Sequence, residues 1–384
     1  TDEPVIGYSD AVSDGPLPFE QTITRTWTAT DDAGNSSQGV QKITLQSFGP
    51  SFSLTDVVGR PTYGLFSPAT GAGKRQLGRI TSEGAVSLLG TDASLDAGDI
   101  STGAGITAFD RQTQTVFAVG TTASDGLSRI FSINGHDGSS TSVVLSTGTT
   151  GTVVGIWWDE GSSTLHGVLQ TGVGSVERQL VAIDPATGVV SFIGSSEAGI
   201  LSTVAGTLTG SAGAGEIYFL GSPGGLPGSV YTVNLATGVM TGAALVGANF
   251  NAISGMEFSE VQGKLYALVF VGAERQLAEV DPTTGVVTLL GSGTVGGGGV
   301  AIATYSGVNT IDEFSGTFLF VGRYNNGVSN AWAIWGVDVL TGDSSFSEID
   351  TSSITDNGYH GLEYGRLRKD ALTITGTGFA GADF

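Results

Sequence analysis

Few side chains in this sequence are of types that start chemistry unaided. The three histidines are His136, His166 and His360. They form neither HExxH nor H-x-H, so a zinc hydrolase is disfavoured. His166 falls in an apolar alternating stretch and reads as a core residue. His136 falls in a polar turn. His360 directly precedes an alternating strand, from which it could face a central channel. Cysteine is absent. That excludes disulfides, thiolate catalysis, zinc–thiolate sites and iron–sulfur clusters. No G-x-S-x-G elbow and no Walker A loop occurs. The run Gly296–Gly299 lacks a following helix and lysine, so it reads as a loop rather than a phosphate cradle.

Two oxygen-rich clusters remain. Asp92, Asp96 and Asp99 share one loop, and Asp31, Asp32 and Asn35 share one turn. Such loops can hold calcium, a hard cation that takes six to eight oxygens. Turn-forming Asx residues account for both equally well. No other cofactor is expected. Asn35-Ser36-Ser37 is a glycosylation sequon. Four tryptophans, Trp157, Trp158, Trp332 and Trp335, can stack on sugar rings, although strand positions favour packing.

Composition narrows the setting. Lys and Arg number 15 against 36 Asp and Glu, a net charge of -21. Such a polyanion is repelled by phosphate backbones and anionic lipid, which disfavours nucleic-acid binding. No run of 18 apolar residues predicts a membrane-spanning helix. Charged residues are 13% and hydrophobic residues 40%, which does not suit a disordered chain. The opening Thr1-Asp2-Glu3-Pro4 has neither the basic start nor the apolar core of a signal peptide. The expectation is a processed chain or a segment of a longer one.

The elements that must position these side chains are repeats. Residues 178–194 read RQLVAIDPATGVVSFIG, and residues 275–291 read RQLAEVDPTTGVVTLLG. Residues 75–90 read RQLGRITSEGAVSLLG. Each is an alternating strand, a tight turn and a second alternating strand, the pattern of a hairpin. Weaker copies occur at 129–138, 230–240 and 332–342. The turn glycines Gly84, Gly138, Gly188, Gly238, Gly285 and Gly342 are spaced by 54, 50, 50, 47 and 57 residues. The Asp-Pro-x-Thr-Gly turns recur, which argues for a structural role. Two further strands precede each hairpin, as in Gly255–Phe258 and Lys264–Leu268. Four strands per unit of about fifty residues fit a β-propeller blade.

The first unit begins at Pro61–Phe66 and lacks an inner strand. Gly361-Leu362-Glu363-Tyr364 matches Gly255-Met256-Glu257-Phe258 in type. A C-terminal strand therefore completes the N-terminal blade and removes the free edges. A linear solenoid would need neither feature. The expected fold is all-β: a six-bladed β-propeller over 60–366, closed by its C-terminal strand, after a linker at 48–59.

The flanks resemble immunoglobulin-like modules. Residues 22–46, TITRTWTATDDAGNSSQGVQKITLQ, resemble the last strands of a hyalin-repeat (HYR) module, with Ala33 where the family has Cys. Residues 371–384, ALTITGTGFAGADF, resemble the opening of an IPT/TIG module, with its GxGF turn at Gly376–Phe379. The "IDPxTG" hairpins resemble repeats of secreted bacterial proteins. These likenesses imply partial β-sandwich segments at 1–47 and 367–384 and an extracellular or cell-surface location.

Three functions are open. The first is a non-catalytic structural or adhesive protein, the repeating subunit of a surface filament, sheath or fibre linked through its termini. In that reading Ala371, Leu372, Thr373, Ile374 and Thr375 form a donor strand for self-association. The second is a lectin-like module binding surface glycans. The third is a propeller hydrolase or lyase. The absence of catalytic motifs favours a protein that is not an enzyme, with a channel lined by small or apolar side chains.

Overall fold

Alternation of Val, Ile, Leu and aromatic residues between Gly-containing turns makes β-strands of this chain's repeats. The computed structural model describes residues 5–14, 21–30, 33–45, 62–69, 75–81, 84–90, 106–121, 125–146, 151–171, 177–200, 202–203, 207–222, 228–247, 250–272, 274–291, 303–313, 315–325 and 330–364. Among them there is no helix, and the strands form seven antiparallel sheets. The chain divides into two compact units, Thr1–Phe52 and Ser53–Phe384.

The N-terminal unit holds one three-stranded meander: Val5–Asp14, Gln21–Thr30 and Ser36–Leu45. Tyr8 lies opposite Trp27, and Asp10 opposite Arg25. The Arg25 guanidinium donates to both oxygens of Asp10, at 2.8 and 2.7 Å.

The second unit holds six sheets. Sheet 1 joins the two ends of the unit: Ile354–Tyr364 pairs with Thr62–Pro68, followed by Gln76–Ile80 and Val86–Leu88. Its register sets Glu363 opposite Tyr63 and Leu362 opposite Gly64. Sheet 2 starts at Thr107–Asp110, sheet 3 at Gly151–Asp159, sheet 5 at Ile253–Ser259 and sheet 6 at Ala303–Asp312. In sheet 4 two short segments, Ser202–Thr203 and Thr209–Ser211, share the inner position.

Neighbouring sheets pack face to face. Phe117 and Ile130 of sheet 2 share a cluster with Leu165 and Val181 of sheet 3. Comparable clusters join sheets 1 and 2, 3 and 4, 4 and 5, and 5 and 6. Sheet 6 meets sheet 1 through Trp332 and Tyr359, whose ring centroids are 4.9 Å apart. Burial of each such side chain is worth about 1.5–3 kcal/mol.

The Asp-Pro-x-Thr-Gly turns act structurally. Asp281 accepts from the Thr283 N–H at 2.8 Å and the Thr284 hydroxyl at 2.7 Å. Gly285 then takes φ +73°, with its α-carbon against the Ala244 carbonyl of the preceding sheet. Its own carbonyl accepts from the Val246 N–H at 2.9 Å. A side chain would collide there, so the turn needs glycine on two counts.

Candidate functional site

One position per inner strand defines the middle of the six sheets. Pairing with the second strand aligns Glu363 with Tyr63, Ala108 with Phe117, Trp157 with His166, Thr209 with Tyr218, Glu257 with Tyr266 and Thr310 with Leu319. Glu363, Ala108, Trp157, Thr209, Glu257 and Thr310 all line a single cavity of about 510 Å³. Six equivalent positions meeting in one cavity place it on the axis of the ring. The size suits a small ligand.

Glutamates crowd this cavity and divide by role. Glu160, Glu260 and Glu313 directly follow inner strands, and each clasps the preceding sheet. Glu160 accepts from the Arg111 N–H at 2.7 Å. Glu260 accepts from the Ala212 N–H at 2.5 Å and the Ser211 hydroxyl at 3.2 Å. Glu313, buried, accepts from the Glu260 N–H and the Ser259 hydroxyl, both at 2.7 Å. Charge-assisted bonds to backbone donors make these clasps structural.

Glu257 and Glu363 do not clasp a turn. The Glu257 carboxyl accepts from the Thr209 hydroxyl at 3.0 Å and from Asn309 Nδ2 at 3.1 Å. Glu363 accepts from the Thr107 hydroxyl at 2.8 Å. Burial, and next the charge of Glu363, raises Glu257 well above the usual carboxylate range. Burial pushes Glu363 up to about 7, against the Thr107 bond and the charge of Arg111, which pull it down. Both glutamates are partly exposed and line the cavity. Water reaches them, but the surrounding protein solvates their charge poorly.

Arg111 is the cation of this cavity. Its Nε is buried without a hydrogen-bond partner. Asp110 is spent on the turn, accepting from Gln112 N–H at 2.8 Å and the Thr113 hydroxyl at 2.6 Å. Trp157 and Trp158 add aromatic wall. The Trp157 indole lies over Gly210, where any side chain would strike it.

The sequence-derived candidates fare unevenly. Trp157 and Trp158 reach the cavity, whereas Trp332 and Trp335 are buried in packing. His166 stacks under Trp157, with ring centroids 6.3 Å apart, and burial lowers its pKa. His360 is not a channel residue: its Nε2 lies 2.9 Å from the Ser67 hydroxyl, and burial pulls it down to about 3. His136 is exposed in its turn. Asp31, Asp32, Asp92, Asp96, Asp99 and the expected donor segment Ala371–Thr375 lie outside the described residues. Asn35 is described and exposed. Among the described residues, no group of three or more His, Asp or Glu side chains could hold a metal ion.

No protein-family model matches the chain, and no curated protein matches it. Solved structures do. The nidogen/laminin complex has a chain with TM-score 0.50 and 10% identity, covering 79% of this chain and 98% of its own. A putative TolB from Agrobacterium tumefaciens gives 0.49 and 11%, over 79% and 91%. An S511A puromycin hydrolase complex gives 0.46 and 16%, over 78% of this chain and 49% of its own. At these identities the likeness is one of fold, and the fold is a β-propeller.

The expectation of a protein that is not an enzyme is corrected here. The channel wall carries Arg111 and five glutamates in addition to small and apolar groups. The overlooked signal is the glutamate in Gly255-Met256-Glu257-Phe258 and Gly361-Leu362-Glu363-Tyr364. It recurs at one strand position, in a chain where only 13% of residues are charged.

Proposed function

We propose that this chain is a six-bladed β-propeller that hydrolyses a C–O bond of a small, hydroxyl-rich substrate in its central channel. The observation that carries this reading is the pair Glu257 and Glu363, two carboxyls of unequal basicity in one cavity. Carboxyls whose environments push their pKa values apart divide into acid and base. Glu257, raised well above the usual carboxylate range by burial and then by the charge of Glu363, gives its proton to the leaving oxygen. Glu363, ionised above about 7, takes a proton from the attacking water. The water oxygen bonds to carbon as the C–O bond breaks, and both protons are accounted for. Trp157 offers a face for a sugar ring, and Thr107, Thr209 and Asn309 offer polar partners.

The test is turnover of a panel of chromogenic glycosides and esters by the wild type, Glu257→Gln and Glu363→Gln. The expected result is hydrolysis of at least one substrate and a loss of about 100-fold or more in each variant. Turnover retained by both variants, or none by the wild type, overturns the reading.

The N-terminal unit supports a second, separate role in attachment at a cell surface. Its two outer strands are ten residues long and unpaired on their outer edges among the described residues. Open edges of that length accept an added strand. This reading takes the unit as part of an immunoglobulin-like sandwich. Its test is the assembly state with and without residues 1–47: unchanged size on deletion overturns it.

A further inference from the structure

The inner strands of sheets 3, 5 and 1 carry one pattern: Gly155-Ile156-Trp157, Gly255-Met256-Glu257 and Gly361-Leu362-Glu363. The third residue of each lines the cavity. The glycine of each lies against the sheet that follows. A Cβ on Gly155 would strike Leu208, one on Gly255 Asn309, and one on Gly361 Thr107. A bare α-carbon is what lets those side chains come so close. Where the third residue is tryptophan, the admitted side chain is apolar. Where it is glutamate, the admitted side chain is a hydrogen-bond donor, and it bonds that same glutamate.

The contacts hold both carboxyls from neighbouring sheets. Asn309 is 4% exposed. Its Nδ2 donates to the Met256 carbonyl at 3.2 Å and to Glu257 Oε1 at 3.1 Å. Glu257 Oε2 accepts from the Thr209 hydroxyl, whose oxygen accepts in turn from the Phe258 N–H at 3.0 Å. Glu363 Oε1 accepts from the Thr107 hydroxyl at 2.8 Å.

We infer that Asn309 and Thr107 are the positioning residues of Glu257 and Glu363, each admitted by the glycine two places before its glutamate. The inference rests on the hydrolase reading for the use of the two carboxyls and adds what holds them. A donor from a packed neighbour locks the carboxyl in one orientation. It also favours the ionised form. Thr107 thus opposes the burial that raises Glu363. Without it, Glu363 would keep its proton to higher pH. The other charged or titratable groups around Glu363 are Tyr63 opposite it on the next strand, and Arg111, Glu160, Glu257, Glu260 and Glu313 on the cavity wall.

Carbon NMR of the side-chain carboxyls in glutamate-labelled protein tests this on the whole chain. The Glu363 signal is the one that Glu363→Gln removes, with a midpoint of about 7 in the wild type. Thr107→Val should raise that midpoint by about one pH unit, and Thr107→Ser should leave it in place. Gly361→Ala pushes Thr107 aside and should raise it likewise. Gly155→Ala pushes on Leu208 instead and should not. Melting curves show that the variants fold. In turnover, the acid limb of kcat should move up with the Glu363 midpoint in Thr107→Val, with KM unchanged. A midpoint that ignores Thr107→Val and Gly361→Ala, or that moves as far in Thr107→Ser or Gly155→Ala, would overturn the inference whether or not any substrate is turned over. The expected shifts in a wild type that turns over no substrate, or with an acid limb that stays in place, would sink the hydrolase reading alone.

Discussion

Glu257 and Glu363 occupy the same position in two different sheets: each stands on an inner strand opposite a tyrosine, Tyr266 and Tyr63. Both side chains line one cavity, and burial, with the charge of Glu363 next, raises the pKa of Glu257. A carboxyl whose folded pKa exceeds its unfolded value stabilises the protein relatively more at low pH. That advantage is complete below the unfolded pKa and is lost as pH rises through the folded one. For Glu363 the window runs from ordinary carboxylate values to about 7. Glu363→Gln should therefore melt higher than the wild type at pH 8, with a smaller difference at pH 5. A constant difference between the two proteins across this range would contradict the assigned shift.

Glu313 should behave in the opposite way. Its carboxylate is 8% exposed and bonds the Ser259 hydroxyl and the Glu260 N–H of the neighbouring sheet. Replacing it by Ala leaves those donors unsatisfied, at about 1–3 kcal/mol. Glu313→Ala should lower the urea midpoint, whereas Glu363→Gln should not. If both variants fall alike, the division into clasps and working carboxyls is wrong.

The ring was legible because its signals are local. Asp281, Thr284 and Gly285 build their turn from bonds within five residues, and such turns repeat along the chain. The closing strand was legible because Gly361–Tyr364 duplicates Gly255–Phe258. The site was not legible by the same route. Alternation assigns Glu257 and Glu363 to a face of a strand. It does not state that six inner strands converge, so that residues 106 positions apart share one cavity. His360 lies off the channel for a related reason: Ser67, which it bonds, and Arg75, whose charge acts on it, come from the other end of the unit.

Two glycines separate backbone strain from contact between sheets. Gly263 has φ +64° and no atom within 4 Å of an added Cβ. Gly285 has φ +73° and would drive its Cβ into the Ala244 carbonyl. Gly263→Ala should cost about 1–2 kcal/mol, the left-handed penalty alone. Gly285→Ala should cost more, because the backbone of the preceding sheet has to move. Equal losses in urea denaturation would mean that the turn does not bear on its neighbour.

The closing strand joins residues almost three hundred positions apart, and its removal tests the ring directly. Without Ile354–Tyr364, Thr62–Pro68 becomes an edge, and the ring gains a gap between sheets 6 and 1. Trp332 loses Tyr359, and Thr107 loses its bond to Glu363. Buried Leu362, Tyr359 and Tyr364 leave the core with it, each worth about 1.5–3 kcal/mol of burial. That sum is comparable to the net stability of an ordinary domain. A chain ending at residue 353 should therefore unfold over a broad range or aggregate through its new edges. Added peptide 354–364 should restore a cooperative transition by pairing with Thr62–Pro68. A truncated chain that melts as sharply and as high as the full one would show that this strand does not close the ring.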